Sequence, residues 1–177
     1  MNLASFAFVD PTMFFATMTL KYGRHFNDNG QEQSALKQIV LRGPADRDFY
    51  GDTEQVDYPL LSEWPFAQAL LENIHKQITS HIGVQNPQIG QVIVQSLAPD
   101  SHVPWMIDNS HYGQRYHRFK LLVSPCTGGC WYSGAEALAP IMGNLTYINH
   151  RVLNSAVNLG PIPQISLIVD ARAPTLQ

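Results

Sequence analysis

The side chains able to do chemistry gather in the second half of this 177-residue chain, in three segments. The first is Ser101-His102-Val103-Pro104-Trp105-Met106-Ile107-Asp108 and the second is Arg115-Tyr116-His117-Arg118-Phe119-Lys120-Leu121. The third spans 143–172, through Asn149-His150-Arg151-Val152-Leu153-Asn154-Ser155-Ala156 and Gln164-Ile165-Ser166-Leu167-Ile168-Val169-Asp170. Imidazole, carboxylate and guanidinium groups are the ones that hold metals, move protons and grip anions. Taken singly, each has an ordinary explanation. His102, His111 and His150 read as loop or rim histidines. Arg115 and His117 read as a polar pair, kept because removing one buried partner strands the other. Trp105 and Trp131 read as core or mouth-lining aromatics. Cys126 and Cys130 are the two thiols, too few for a structural zinc site. The Gly-Gly between them suggests a hairpin turn, with both thiols reduced.

The elements that must position these segments follow from periodicity. Phe66, Leu70, Ile74, Ile78 and Ile82 recur every four residues, which predicts an amphipathic helix over 62–82. Ser62 is its expected N-cap, Pro65 falls in its first turn, and Gly83 ends it. Beyond it the pattern turns to short β-branched or aromatic runs at 91–97, 119–123, 131–132, 145–148 and 165–169, separated by Gly and Pro turns. Many short strands after a helix predict a mainly β (α+β) sandwich or barrel with the helix flanking it. The expected layout is one domain over 1–177, with an N-terminal segment 1–40, a supporting helix 62–82 and a β core 88–172.

Composition narrows the function classes. Apolar residues make up 45% of the chain and charged residues 14%, well under the roughly 25% usual for soluble domains. A surface short of charge is poorly protected against association, so a protein partner or self-assembly is expected. A net charge of −3 argues against nucleic acid or a membrane surface as partner. Residues 1–20 are apolar but lack a basic leading stretch and are interrupted by Asp10-Pro11; neither a signal peptide nor a spanning helix fits, and a cytoplasmic protein is expected. Phe6, Phe8, Met13, Phe14 and Phe15 exceed what a terminal loop needs, and form either an edge strand under the helix or a contact patch.

Taken as an ordered set, these pieces resemble the aspartyl/asparaginyl β-hydroxylase-like 2-oxoglutarate/Fe(II) dioxygenases, particularly small bacterial and phage members. The set runs from Leu41-Arg42-Gly43-Pro44 through Arg115-x-His117 and Gly134-Ala135-Glu136 to Asn154-Ser155-Ala156 and Leu167-Ile168-Val169-Asp170. The resemblance implies a double-stranded β-helix, a cupin-like jelly roll. Its mouth would bind Fe(II) through histidines with or without a carboxylate, and 2-oxoglutarate through Arg and His side chains.

Residue by residue the carry-over is uneven. Arg115 and His117 match the family's Arg-x-His, and Asp108 matches the acid of its His-x-Asp. Met106 stands where the first iron-binding histidine belongs and Asn154 where the second belongs. Gln164 replaces the arginine for the distal carboxylate and Ser166 the histidine after it. A thioether is a soft ligand and an amide a feeble one for Fe(II); Gln164 forgoes a charge-assisted hydrogen bond worth roughly 1.5–3 kcal/mol. A weaker alternative shifts two strands by four residues to assemble His102, Asp108 and His150. An even shift keeps a side chain on its face, but it moves each ligand about 13 Å along an extended strand.

The expected function is therefore a degenerate, non-catalytic relative without iron or 2-oxoglutarate, reused as a protein-binding or structural component. The phage-like character of the resemblance extends this to a virion-associated part. The alternative is an active Fe(II)/2-oxoglutarate hydroxylase of an Asp, Asn or amino-acid side chain; a third reading binds a small carboxylate through Arg115 and His117. All of them require Met106, Asp108, Arg115, His117, Asn154 and Gln164 to converge on one mouth. Met106 and Asn154 should then lie within about 10 Å, some three strand residues.

Overall fold

The computed structural model describes residues 35–51, 53–63 and 67–174. The apolar N-terminal residues singled out above, with Pro65 and Phe66, lie outside the described residues.

Among the described residues, ten strands build two antiparallel sheets. They are β1 (Leu36–Pro44), β2 (Gln55–Asp57), β3 (Gln88–Leu97), β4 (Ser101–Met106), β5 (His117–Leu122), β6 (Gly129–Ser133), β7 (Glu136–Leu138), β8 (Leu145–Ile148), β9 (Asn154–Asn158) and β10 (Gln164–Arg172). The larger sheet has the order β2-β1-β3-β10-β5-β8 and the smaller β4-β9-β6-β7. This is a double-stranded β-helix, as the strand pattern and the resemblance led us to expect. Expected and observed strands coincide at β8 and overlap at β3, β5, β6 and β10. The helical run differs. α1 spans Pro59–Glu63 and α2 spans Ala67–Ile82. Ser62 is inside α1, where its hydroxyl donates to the Pro59 carbonyl at 2.7 Å, so it is not an N-cap. A hydroxyl bonded back to its own turn is common inside helices.

The four-residue stripe of α2 does what its spacing requires. Leu70, Ile74 and Ile78 are buried and Ile82 packs beside them. Gly83 closes the helix with a left-handed φ of 68° and its N–H on the Thr79 carbonyl, a conformation that costs glycine nothing. The stripe lies on the large sheet, against Phe119 and Leu121 of β5 and Ile165, Leu167, Val169 and Ala171 of β10.

Because side chains alternate along a strand, that packing fixes the other face. Gln164, Ser166, Ile168 and Asp170 of β10, Arg118, Lys120 and Leu122 of β5, and Gln95 and Leu97 of β3 point between the sheets. From the small sheet come Trp131 and Ala156, which join Leu97, Val103, Leu122 and Ile148 in a second apolar cluster. One face of the large sheet is thus a dry helix seat; the other is strongly polar. The 126–130 segment is not a hairpin, since it carries the chain from β5 in one sheet to β6 in the other. Both cysteines are free.

Replacing Ile78, which is fully buried, by alanine deletes methyl groups from a rigid seat. Urea unfolding of Ile78→Ala is expected to show a loss of about 2–5 kcal/mol.

Candidate functional site

Met106 and Asn154 are paired across β4 and β9, in register, well inside the distance expected of them. The Asn154 side chain is not free to act as the resemblance would ask. The Asn154 amide nitrogen lies 2.8 Å from the Met106 carbonyl, 3.1 Å from that of Val152 and 3.2 Å from that of His150. Both of its N–H bonds are engaged in tying the rim together. Met106 is 47% exposed.

Asp108 follows on the same rim. Its carboxylate accepts from the Ser110 backbone N–H at 3.1 Å and from the Ser110 hydroxyl. Ser110 in turn caps the five-residue helix α3 (His111–Arg115) by accepting from Gly113 N–H at 2.9 Å. Behind Asp108 stands Arg118, 3.8 Å away. Arg118 faces Asp170 directly across β5 and β10 and donates two bonds of 2.9 Å to its carboxylate, which is completely buried. Burial works against the Arg118 charge, but Asp170 and then Asp108 reverse this and hold the guanidinium above its ordinary value.

The loop after β8 locks the same corner. His150 Nε2 lies 2.9 Å from the Gly113 carbonyl. A carbonyl only accepts, so Nε2 carries the proton and Nδ1 is a bare lone pair, sealed and without a donor. Burial, reinforced by the Arg118 guanidinium, holds this imidazole below its usual value. Arg151 donates to the carbonyls of Gly113 and Tyr116 at 3.0 and 3.1 Å. A methyl group at Gly113 would sit 2.5 Å from the Asp108 carboxyl, so a larger residue there would push that carboxyl from its place. Tyr112 stacks on Tyr116 with ring centres 4.2 Å apart, and its hydroxyl accepts from Gln91 N–H at 2.7 Å.

The remaining expected residues are scattered. Arg115 is exposed, in the last turn of α3. His117 turns to the helix side of the large sheet, where its ring centre lies 6.0 Å from that of Tyr147, and burial lowers its pKa. His117 does not join Asp108, so the expected convergence fails for it. Gln164 is buried under the small sheet, accepting from the Trp131 indole N–H at 3.2 Å and donating to Cys126 Sγ at 3.4 Å. His102 is exposed, on the side of β4 opposite the inward Val103, while His150 is buried. The four-residue shift that would unite them with Asp108 is therefore absent. Trp131 is core, whereas Trp105 is 52% exposed and lies against Tyr132 at 5.3 Å between ring centres.

The donor set does not fit Fe(II). A thioether, an engaged amide and a carboxylate already held by Ser110 and Arg118 are not the imidazole-rich face that iron needs. Among the described residues, no group of three or more His, Cys, Asp or Glu could hold a metal ion. Sequence reasoning missed Arg118, Lys120, Tyr112 and Arg151; the available signal was Asp170, an acid ending an otherwise apolar run, which demanded a cation opposite.

The double-stranded β-helix is shared with the crystal structure of an oxidoreductase of the 2OG-Fe(II) oxygenase family from Burkholderia pseudomallei. The likeness covers 95% of this chain and 84% of that one, with a TM-score of 0.60 and 10% identity. That likeness is one of fold. An uncharacterized conserved protein with a double-stranded beta-helix domain from Klebsiella pneumoniae subsp. pneumoniae matches 50% of this chain and 79% of its own, with a TM-score of 0.37 and 16% identity. No protein-family model matches the sequence, and no curated protein matches it. Among the described residues, no helix is long and apolar enough to cross a membrane.

Two outcomes follow from the buried corner. Asp170→Asn leaves the Arg118 charge without its buried partner, and should cost about 3–5 kcal/mol in urea unfolding. The low pKa of His150 means that the unfolded chain takes up this proton first. Stability from this group is therefore lost as pH falls below the unfolded value of about 6.5. Thermal melts from pH 7 to pH 5 should fall less steeply in His150→Gln than in the native protein.

Proposed function

We propose that this chain is a domain with the fold of 2-oxoglutarate oxygenases that performs no iron chemistry. It works instead by binding another protein or by assembly, as a structural part of a larger particle such as a virion. The observation that carries this reading is the Asn154 amide. A metal-binding side chain at that place would need a free lone pair aimed into the mouth. Here the side chain is committed to carbonyls of the neighbouring rim, and its cross-strand partner is a methionine.

The rim also has the character of a contact surface. Trp105, Met106, Ile107 and Leu153 are exposed by 52, 47, 46 and 48%, and the pairing of Met106 with Asn154 makes them neighbours. An apolar group of this kind, rimmed by polar residues, marks interaction sites on soluble proteins. A specific contact would cover roughly 1,200 Å² or more in total. The competing reading, an active hydroxylase of an Asp, Asn or amino-acid side chain, draws on the fold likeness and on the carboxylate kept at Asp108.

Anaerobic loading with Fe(II) and 2-oxoglutarate, followed by metal analysis and a turnover assay for succinate, separates the two. We expect far less than one iron per chain and no succinate. One iron per chain that disappears in Asp108→Ala would establish the hydroxylase. Static light scattering with the native chain and Trp105→Ser then asks whether the rim joins copies of the protein or awaits a different one.

A further inference from the structure

The two ends of the β-helix differ in charge. Strands β3, β5 and β9 end at Leu97, Leu122 and Asn158, while β6 and β10 start at Gly129 and Gln164. The pairings of Gln164 with Leu97, Ser166 with Leu122 and Gly129 with Asn158 bring these termini to one end, opposite the Asp108 rim. The stretches 122–129, 139–144 and 158–164 run across that end, and none contains an acidic, basic or histidine residue. Lys37 on β1 and Asp100 after β3 stand only at its margin. The rim end, by contrast, carries Asp108, Arg118, His150, Arg151 and Asp170.

The uncharged end is also apolar. Ile141, Met142, Leu159 and Ile162 are exposed by 63, 48, 70 and 44%. Backbone contacts gather their loops. Met142 bridges to Leu122, and Gly143 donates to the Leu122 carbonyl at 2.9 Å. A methyl group on Gly129 would lie 3.3 Å from the Pro140 ring, and Leu159 N–H donates to the Gly128 carbonyl at 3.0 Å. The fully buried Asn158 amide lies 2.8 Å from the Ile162 carbonyl and 3.1 Å from those of Leu97 and Ala98. Large apolar side chains left in the open together mark a surface that something covers.

The occupant follows from where the chain enters the domain. Ala98 N–H donates to the Ala35 carbonyl at 2.8 Å, and Leu36 pairs with Leu97. The 34 residues before Ala35 therefore join the domain at this same end. Residues 1–20 hold Phe6, Phe8, Met13, Phe14 and Phe15, with Asp10 their only charge. Phe15 precedes Ala35 by twenty residues, which allow about 65 Å of extended chain. A six-stranded sheet is about 24 Å wide, so every part of this end is within reach. The seat under α2 is not open to the segment, since Ile74 and Ile78 already fill it with no exposure. We propose that the stretch from Phe6 to Phe15 of the same chain lies over Ile141, Met142, Leu159 and Ile162 and closes this end of the β-helix. Two charge-poor surfaces meet, and the tether at Ala35 gives the chain's own segment a high effective concentration there. The closure does not depend on whether the opposite rim binds iron or another protein.

The test compares two methionines of matching exposure at opposite ends, Met106 at 47% and Met142 at 48%. The full chain, dilute enough to be monomeric by light scattering, is treated with hydrogen peroxide, and sulfoxide formation is followed by peptide mass spectrometry. Met142 should oxidise about tenfold more slowly than Met106, the protection given by a cover in place about nine-tenths of the time. In Phe14→Asp/Phe15→Asp, folded by circular dichroism, Met142 should reach the rate of Met106, itself unchanged. A photoreactive benzophenone amino acid in place of Leu159 should cross-link to a peptide within residues 1–22. In a mixture of isotopically light and heavy chains, each linked pair should be all light or all heavy. Equal methionine rates in the native chain, or a Met142 rate unmoved in the folded variant, would overturn the proposal. So would cross-links outside that segment, or mixed light and heavy pairs, which would put a second copy on the patch.

Discussion

The buried pair of Arg118 and Asp170 is the constraint around which the polar half of this molecule is arranged. An ion pair withdrawn from water repays its desolvation only with good geometry and further hydrogen bonds. Here the geometry is bidentate, and the pair joins β5 to β10 at the centre of the large sheet. The positive end reaches on to Asp108, and through Ser110 it sets the start of α3. Removing Arg118 would leave the Asp170 carboxylate sealed in the barrel, so the segment from Asp108 to Tyr116 depends on a contact it does not itself make.

Much of the fold was legible because its signals were periodic. The stripe from Leu70 to Ile82 could only be a helix seat, and β8 and β10 had β-branched runs with clear ends. Two misreadings have physical causes. Ser62 looked like a cap because capping residues also occur inside helices, where the hydroxyl turns back to a carbonyl. His117 was placed in the mouth because a motif supplies spacing but not parity. β5 begins at His117, so inward positions are 118, 120 and 122, and a slip of one residue sends every side chain to the opposite face. Both faces of β5 carry a basic residue, so the sequence offered no pattern to decide it. Lys120 was invisible for a related reason. A lysine in a strand ordinarily marks a solvent face, and only its cross-strand neighbours show this one to be interior.

The rim between β4 and β9 is kept in shape by hydrogen bonds from one amide side chain. The asparagine side chain on β9 reaches the Met106 carbonyl of β4 and the His150 and Val152 carbonyls of the loop that leads into β9. The amide thus does mechanically what a shared ion would do by coordination, and it holds the register of Met106 with Asn154.

The ends of the two sheets limit how any assembly could form. Among the described residues, the outermost strands are β2 and β7 with three residues each, β8 with four, and β4, which contains Pro104 and an irregular register near its end. Short strands, and a proline that lacks an N–H, present few backbone groups in a row. These margins are poor templates for a foreign strand. At these four margins, contact through side chains is easier than strand addition, and such contact would leave each domain intact and able to dissociate.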